Sequence, residues 1–233
     1  MTREEYIKTV FEHYKLVAVL ADKNDCRTMR LRHRTTDCDV VLHAFPQHVE
    51  AYDILCDVSH ENLPLILDAI DLDDGQIVWE EWINGITVAE AMECGRYRVR
   101  GAKKVMRAVC AALTVLHGYG IIHRDLKPEN VMIDKRGRVV LIDFNVSRRI
   151  NDAARDTVVM GTVGYASPEQ MGVSQSDTRT DIYAAGVLLN VMVTGRHPSE
   201  MLAPGKVGRI VRRCTMISPR DRYSSAEKLR RVL

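Results

Sequence analysis

An α+β fold in two lobes, a small β-rich N-lobe and a larger α-helical C-lobe, follows from three observations on this chain of 233 residues. Residues 14–45 alternate polar and apolar side chains in short runs, as strands with one buried face do. After Asn84-Gly85 the apolar spacing becomes helical, and strands followed by helices is the α+β arrangement. With 46% hydrophobic and 27% charged residues, the chain has enough apolar material for a core.

The elements read in order. Lys15 to Leu20, Thr28 to Arg32 and Val40 to Phe45 make a meander of three strands with polar turns between them. Pro46 fits the first turn of a helix whose apolar positions are Val49, Tyr52, Leu55 and Val58, ending before Pro64. Ile77-Val78-Trp79 reads as another strand. Asn84-Gly85 is a turn signal and marks the expected joint, dividing the chain into lobes 1–83 and 84–233. Val105, Met106, Val109, Leu113 and Leu116 then form one apolar helical face that stops at Gly118 and Gly120.

Composition excludes several classes. A formal net charge of +2 and a pI of about 8.2 leave no basic surplus of the kind a nucleic-acid binder carries, and no nucleic-acid partner is expected. The basic residues read as spread out, apart from Arg27, Arg30, Arg32, His33 and Arg34. Six cysteines stand far apart with no C-x-x-C pair, which reads as reduced thiols in a cytoplasmic protein. No apolar run approaches the roughly 20 residues of a membrane span.

The chemistry concentrates in three stretches. His123-Arg124-Asp125-Leu126-Lys127-Pro128-Glu129-Asn130 is followed by Asp143-Phe144-Asn145, then by Gly161-Thr162-Val163-Gly164-Tyr165-Ala166-Ser167-Pro168-Glu169. Singly, Asp, Lys and Asn are common turn residues. Together they supply the hard oxygens and the cation that magnesium and a triphosphate require. In this order and spacing the motifs resemble the catalytic loop, metal-binding loop and substrate-docking segment of Ser/Thr protein kinases.

That resemblance implies a two-lobed kinase-like fold using ATP and Mg2+. It implies that Asp125 orients and deprotonates the acceptor hydroxyl, that Lys127 offsets phosphoryl charge, and that Thr162 reaches both and favours Ser/Thr acceptors. Asn130 and Asp143 are the implied metal ligands. It further implies a buried Glu169–Arg222 ion pair, an Asp181 that supports the catalytic loop, and an Arg124 that docks a phosphorylated residue, with Thr157 the nearest candidate. Asn145 stands where the family has glycine, and asparagine tolerates positive φ better than most residues.

The N-lobe departs from the pattern. Kinases place three glycines, G-x-G-x-x-G, over the phosphates; counted from Leu20 these fall on Ala21, Lys23 and Cys26, and no glycine precedes Gly75. The strand-3 lysine is His43, and its helix partner position falls on Ala51 with Glu50 one residue off. An ammonium about 4 Å from a phosphate oxygen is worth about 4 kcal/mol at an effective dielectric of 20. Histidine matches that only when protonated. Arg27, Arg30 and Lys23 are candidate replacement cations, so His43, Arg27, Arg30 and Lys127 form the expected nucleotide-binding set. A carboxylate at Glu80, at the back of the adenine pocket if the register has no gap, needs a partner such as His43 or an arginine; a shift of one residue puts Trp79 there instead.

The expected activity is transfer of the ATP γ-phosphoryl group to a Ser/Thr hydroxyl of a protein substrate, by an atypical or slow kinase. The alternative is a pseudokinase, a nucleotide-binding or scaffold module that regulates a protein partner. A small-molecule phosphotransferase is disfavoured by the peptide-docking signature from Gly161 to Glu169.

Overall fold

Five antiparallel strands carry the first of the two compact units into which the chain divides, residues 1–60 with 64–83; the second holds 61–63 with 84–233. The computed structural model describes residues 1–149, 162, 164–171 and 176–233. Thr157, Gly161 and Val163 lie outside the described residues.

The first unit opens on a helix that the alternation signal does not reveal, α1 (Arg3–His13). Its cap is local and legible: the Thr2 hydroxyl accepts from the Glu5 amide while the Glu5 carboxylate accepts from the Thr2 amide. The sheet runs β1 (Tyr14–Lys23), β2 (Cys26–His33), β3 (Asp39–Phe45), β5 (Gly75–Glu81) and β4 (Ile66–Leu72), in that spatial order. The three expected strands are β1 to β3. β1 and β2 close through Asn24 and Asp25 alone, both at positive φ (54° and 61°), the combination a two-residue hairpin turn demands.

Strand alternation gives the sheet two faces. Met29, Leu31, Leu42, Ala44 and Ile77 point to one side, where Ile7 and Val10 of α1 cover them. His43 and Phe45 point to the other and stack with Tyr52, which is completely buried on α2 (Glu50–Leu55). α2 starts at Glu50 and not at Pro46, which lies in a bend before it. The buried Gln76 side chain accepts from the Val49 amide at 3.0 Å and fixes the helix start there.

In the second unit, β6 (Gly85–Thr87), β8 (Val131–Asp134) and β9 (Val139–Leu141) form a small sheet, and β7 (Ile121–Ile122) pairs with β10 (Arg148–Arg149). Gly85 is required by a close approach: a Cβ there would sit 2.1 Å from the Ile133 carbonyl of β8. The helices are α3 (Val88–Glu93), α4 (Val99–Gly118), α5 (Thr178–Thr194), α6 (Gly205–Cys214) and α7 (Ala226–Val232). All five apolar positions expected for α4 are buried. α5 is buried on nearly every side, with α4 and α6 packed on it and α7 on α4. Gly186 lets α6 close in, since its Cβ would stand 2.3 Å from that of Cys214. The six cysteines are free, and no helix of the described residues is long and apolar enough to cross a membrane.

Candidate active site

The loop between β7 and β8 is built from beneath by one buried carboxylate. Asp181, in the first turn of α5, accepts from the backbone amides of His123 and Arg124, each at 2.9 Å, and from His117 Nε2 at 2.8 Å. Burial alone would raise this carboxyl; His117, His123 and the Arg124 amide outweigh it and hold it below the ordinary range. The anchorage keeps Arg124 at φ 69°, a conformation that costs a bulky residue about 1–3 kcal/mol. Gln170 adds a tie, donating through Nε2 to the Arg124 carbonyl at 2.8 Å.

On this support four side chains close a hydrogen-bonded set. Lys127 Nζ donates to Asp125 Oδ2 at 2.6 Å and to Thr162 Oγ1 at 3.0 Å. Thr162 Oγ1 donates in turn to Asp125 Oδ1 at 2.7 Å. Asn130 Nδ2 donates to Asp125 Oδ2 at 3.0 Å and to the Asp125 carbonyl at 2.8 Å. Counting lone pairs, Oδ2 is saturated by two donors, whereas Oδ1 holds one and keeps a site for a further hydroxyl. The Lys127 ammonium has likewise spent two of its three protons.

The next loop is stitched to the first through Ile142. Its amide donates to the Asn130 carbonyl at 2.9 Å, and its carbonyl pairs with His123 Nε2 at 3.1 Å. Asp143 follows directly, at φ 70°, and its carboxylate makes no hydrogen bond among the described residues. Phe144 is fully buried edge-on to His123, 5.5 Å between ring centres, and so pins the loop. The left-handed residue is therefore Asp143, and Asn145, expected to tolerate positive φ, does not adopt it. Among the described residues no three His, Cys, Asp or Glu side chains gather as a metal cage. Asn130 and Asp143 offer two hard oxygens, the number suited to Mg2+ that keeps water and substrate phosphates as its other ligands.

The Pro-Glu segment is clamped by a buried pair. Arg222 Nη1 and Nη2 donate to Glu169 Oε1 and Oε2 at 2.6 and 2.8 Å, with the residues 2% and 3% exposed. The carbonyls of Met216, Arg179 and Ile217 take the remaining guanidinium protons. Burial would raise the Glu169 carboxyl, but the Arg222 bonds dominate and it lies below its usual value.

Within the first unit, His43 is buried and held in the sheet. Its Nδ1 pairs with Thr28 Oγ1 at 3.1 Å, and its Nε2 lies 3.4 Å from Glu80 Oε2, itself 4% exposed. Glu80 stands opposite Val41, so it reaches His43 along the sheet diagonal. At the α2 partner position Ala51 is buried and Glu50 is exposed. Arg30 shares the His43 face but is engaged, ion-paired to Asp39 and lying 4.2 Å over the Trp82 ring. Arg27 projects to the opposite, α1-covered face and pairs with Asp22 at 3.0 Å, so the structure does not bring it to His43. Lys23 ends β1, exposed. His117 and Gln170 are supporting residues that the motifs do not flag. The one signal for His117 was a polar residue beside the apolar face of α4.

A family model described as protein kinase domain matches residues 37–230. The chain is 38% identical over 157 residues to a probable serine/threonine-protein kinase of Corynebacterium efficiens, covering 63% of this chain and 24% of that protein. It is 37% identical over the same shares to a probable serine/threonine-protein kinase PknB of Corynebacterium glutamicum. The serine/threonine-protein kinase pkn3 of Myxococcus xanthus is 28% identical across 99% of this chain and 51% of its own length. The chain thus spans about a quarter of the corynebacterial relatives and about half of the Myxococcus one.

Proposed function

Because the chain belongs to the protein kinase family, we propose that it transfers the γ-phosphoryl group of ATP to a Ser or Thr hydroxyl of a protein substrate. The observation that carries this reading is the closed set of Asp125, Lys127, Thr162 and Asn130. The acceptor hydroxyl hydrogen-bonds the free site on Asp125 Oδ1, which aligns its oxygen with the phosphorus and takes its proton as the new P–O bond forms and the bond to ADP breaks. Lys127 turns its remaining N–H to the phosphoryl oxygens. Thr162 keeps Asp125 and Lys127 in register. Asn130 and Asp143 would hold Mg2+, which when bound would neutralise phosphate charge.

The first unit favours a slow enzyme. The β1–β2 hairpin turn has no glycine, so side chains hinder the approach of its backbone amides to a phosphate, and His43 Nε2 lies 3.4 Å from Glu80 Oε2 without a hydrogen bond to it. The same observation supports a second reading, a nucleotide-holding module that regulates a protein partner without turnover. Calorimetric titration with Mg·ATP, followed by phosphate incorporation from γ-labelled ATP into the chain itself or a generic basic protein, separates them. Turnover that falls about 10²–10⁴-fold in Asp125→Asn, with nucleotide binding retained, is expected. Turnover unaffected by that change would remove the proposed base, and binding without any turnover would establish the second reading.

A further inference from the structure

The small net charge of the chain hides a division between its units. The first unit holds 8 Lys and Arg against 16 Asp and Glu, a formal −8; the second holds 25 against 15, a formal +10, and the two give the overall +2. The basic residues are therefore not evenly spread, as their distribution along the sequence suggested.

Within the second unit the surplus collects on two helices. The first half of α4 carries Arg100, Lys103, Lys104 and Arg107 just after Arg98, and α6 carries Lys206, Arg209, Arg212 and Arg213; neither helix contains an acidic residue. Among the described residues no lysine or arginine of either helix enters an ion pair, and Arg213 lies over the Tyr223 ring at 4.5 Å. Other arginines of the same unit are paired, Arg179 with Asp177, Arg222 with Glu169, and Arg230 and Arg231 with Glu227. Both helices pack on α5, and their charges meet: burial lowers the Lys103 ammonium, and the like charges of Lys206 and Arg107 lower it further. Uncompensated like charges weaken a fold, so this concentration does nothing for stability.

Exposed apolar side chains border the same charges. Met201 precedes α6, and Met216 and Ile217 follow it, with Ile217 81% exposed. A phosphate backbone has no use for such groups, whereas Met and Arg together are the composition of protein-binding surfaces. We propose that the face formed by the first half of α4 and by α6 is a docking surface for an acidic peptide segment of a partner protein that carries an apolar anchor. Carboxylates of the segment pair with the unengaged cations, and its apolar side chain covers Met216 and Ile217. Charge steers the encounter, and the anchor supplies the water-excluded contact that selects a peptide over a bare polyanion.

Binding is read on the full chain without nucleotide, so it stands or falls separately from phosphoryl transfer. The probe is a fluorescein-labelled peptide of repeated Glu-Glu-Leu triplets, followed by anisotropy at physiological salt beside an all-Glu peptide, a duplex DNA oligomer and phosphatidylserine vesicles. Saturable binding of the Glu-Glu-Leu peptide is expected. It should weaken about tenfold or more in Arg209→Glu/Arg212→Glu and in Lys104→Glu/Arg107→Glu, with unchanged circular dichroism. Ile217→Ser should weaken that peptide and leave the all-Glu peptide unaffected. Absence of binding even at low salt, or binding indifferent to both charge reversals, would overturn the proposal. Tighter binding of DNA or vesicles through these arginines would overturn it in favour of another anion.

Discussion

Replacing Glu169 by glutamine keeps the side chain's size and removes its charge, so it isolates the buried clamp. In Glu169→Gln, one oxygen still accepts from Arg222, but the new NH2 faces an Arg222 Nη donor where Oε2 stood at 2.8 Å. The guanidinium, 2% exposed, is left a buried cation without its counter-charge. Breaking such a pair costs about 3–5 kcal/mol. The Met216, Arg179 and Ile217 carbonyls remain as acceptors, which puts the expected loss at the lower end, about 3 kcal/mol. For a chain of this size that lowers Tm by about 6–12 °C. Differential scanning fluorimetry measures it, with Glu227→Gln in the exposed Arg230–Arg231 cluster as a control expected to leave Tm within scatter. The sign with pH is fixed: the Glu169 carboxyl is held low when folded, so its contribution is complete above the ordinary carboxylate range and vanishes as pH falls through the lowered value. The gap between wild type and variant should close at acid pH. A Tm within about 2 °C of wild type at neutral pH would refute the reasoning.

Other outcomes are equally specific. His43→Lys places an ammonium beside Glu80 and should tighten Mg·ATP binding about tenfold or more by calorimetry, within the ceiling of about 4 kcal/mol set by a 4 Å contact; unchanged affinity would show that the histidine is not what limits the grip. Asp181→Asn leaves two backbone amides and His117 facing a side chain that brings a donor of its own, and should cost about 3 kcal/mol or more in urea unfolding. Because the Asp181 carboxyl is also held low, that loss should shrink as pH falls. Gly85→Ala drives a methyl group into the Ile133 carbonyl and should lower stability by about 1–3 kcal/mol without altering the Lys127–Asp125 contact.

The parts of the fold that repeat a simple period were legible. β2 alternates because Met29 and Leu31 are buried under α1, whereas β1 is exposed along most of its length and β3 is buried on both faces; α4 shows its stripe because one side lies on α5. α1 was missed although Thr2 and Glu5 spell its cap, since only Tyr6, Ile7, Val10 and Phe11 in it are apolar, too short a stripe to stand out. β4 was missed because its alternation is interrupted, with a register shift between Ile66 and Asp68. In the site, residues joined by loop spacing were visible. The partner of Glu80 was one of several candidates until the β3–β5 register made His43 its diagonal neighbour. Arg27 and Arg30 look alike along the chain, and only strand parity sends them to opposite faces.

The ring stack of His43, Phe45 and Tyr52 joins β3 to α2. In kinases generally, a lysine–glutamate link between these two elements can be made or broken, and activation acts on it. Aromatic packing is short-ranged and indifferent to salt, and a newly introduced phosphate cannot compete for it as for an arginine or lysine. The contact between α2 and β3 is in this sense bolted, held by packing that neither salt nor a competing anion displaces.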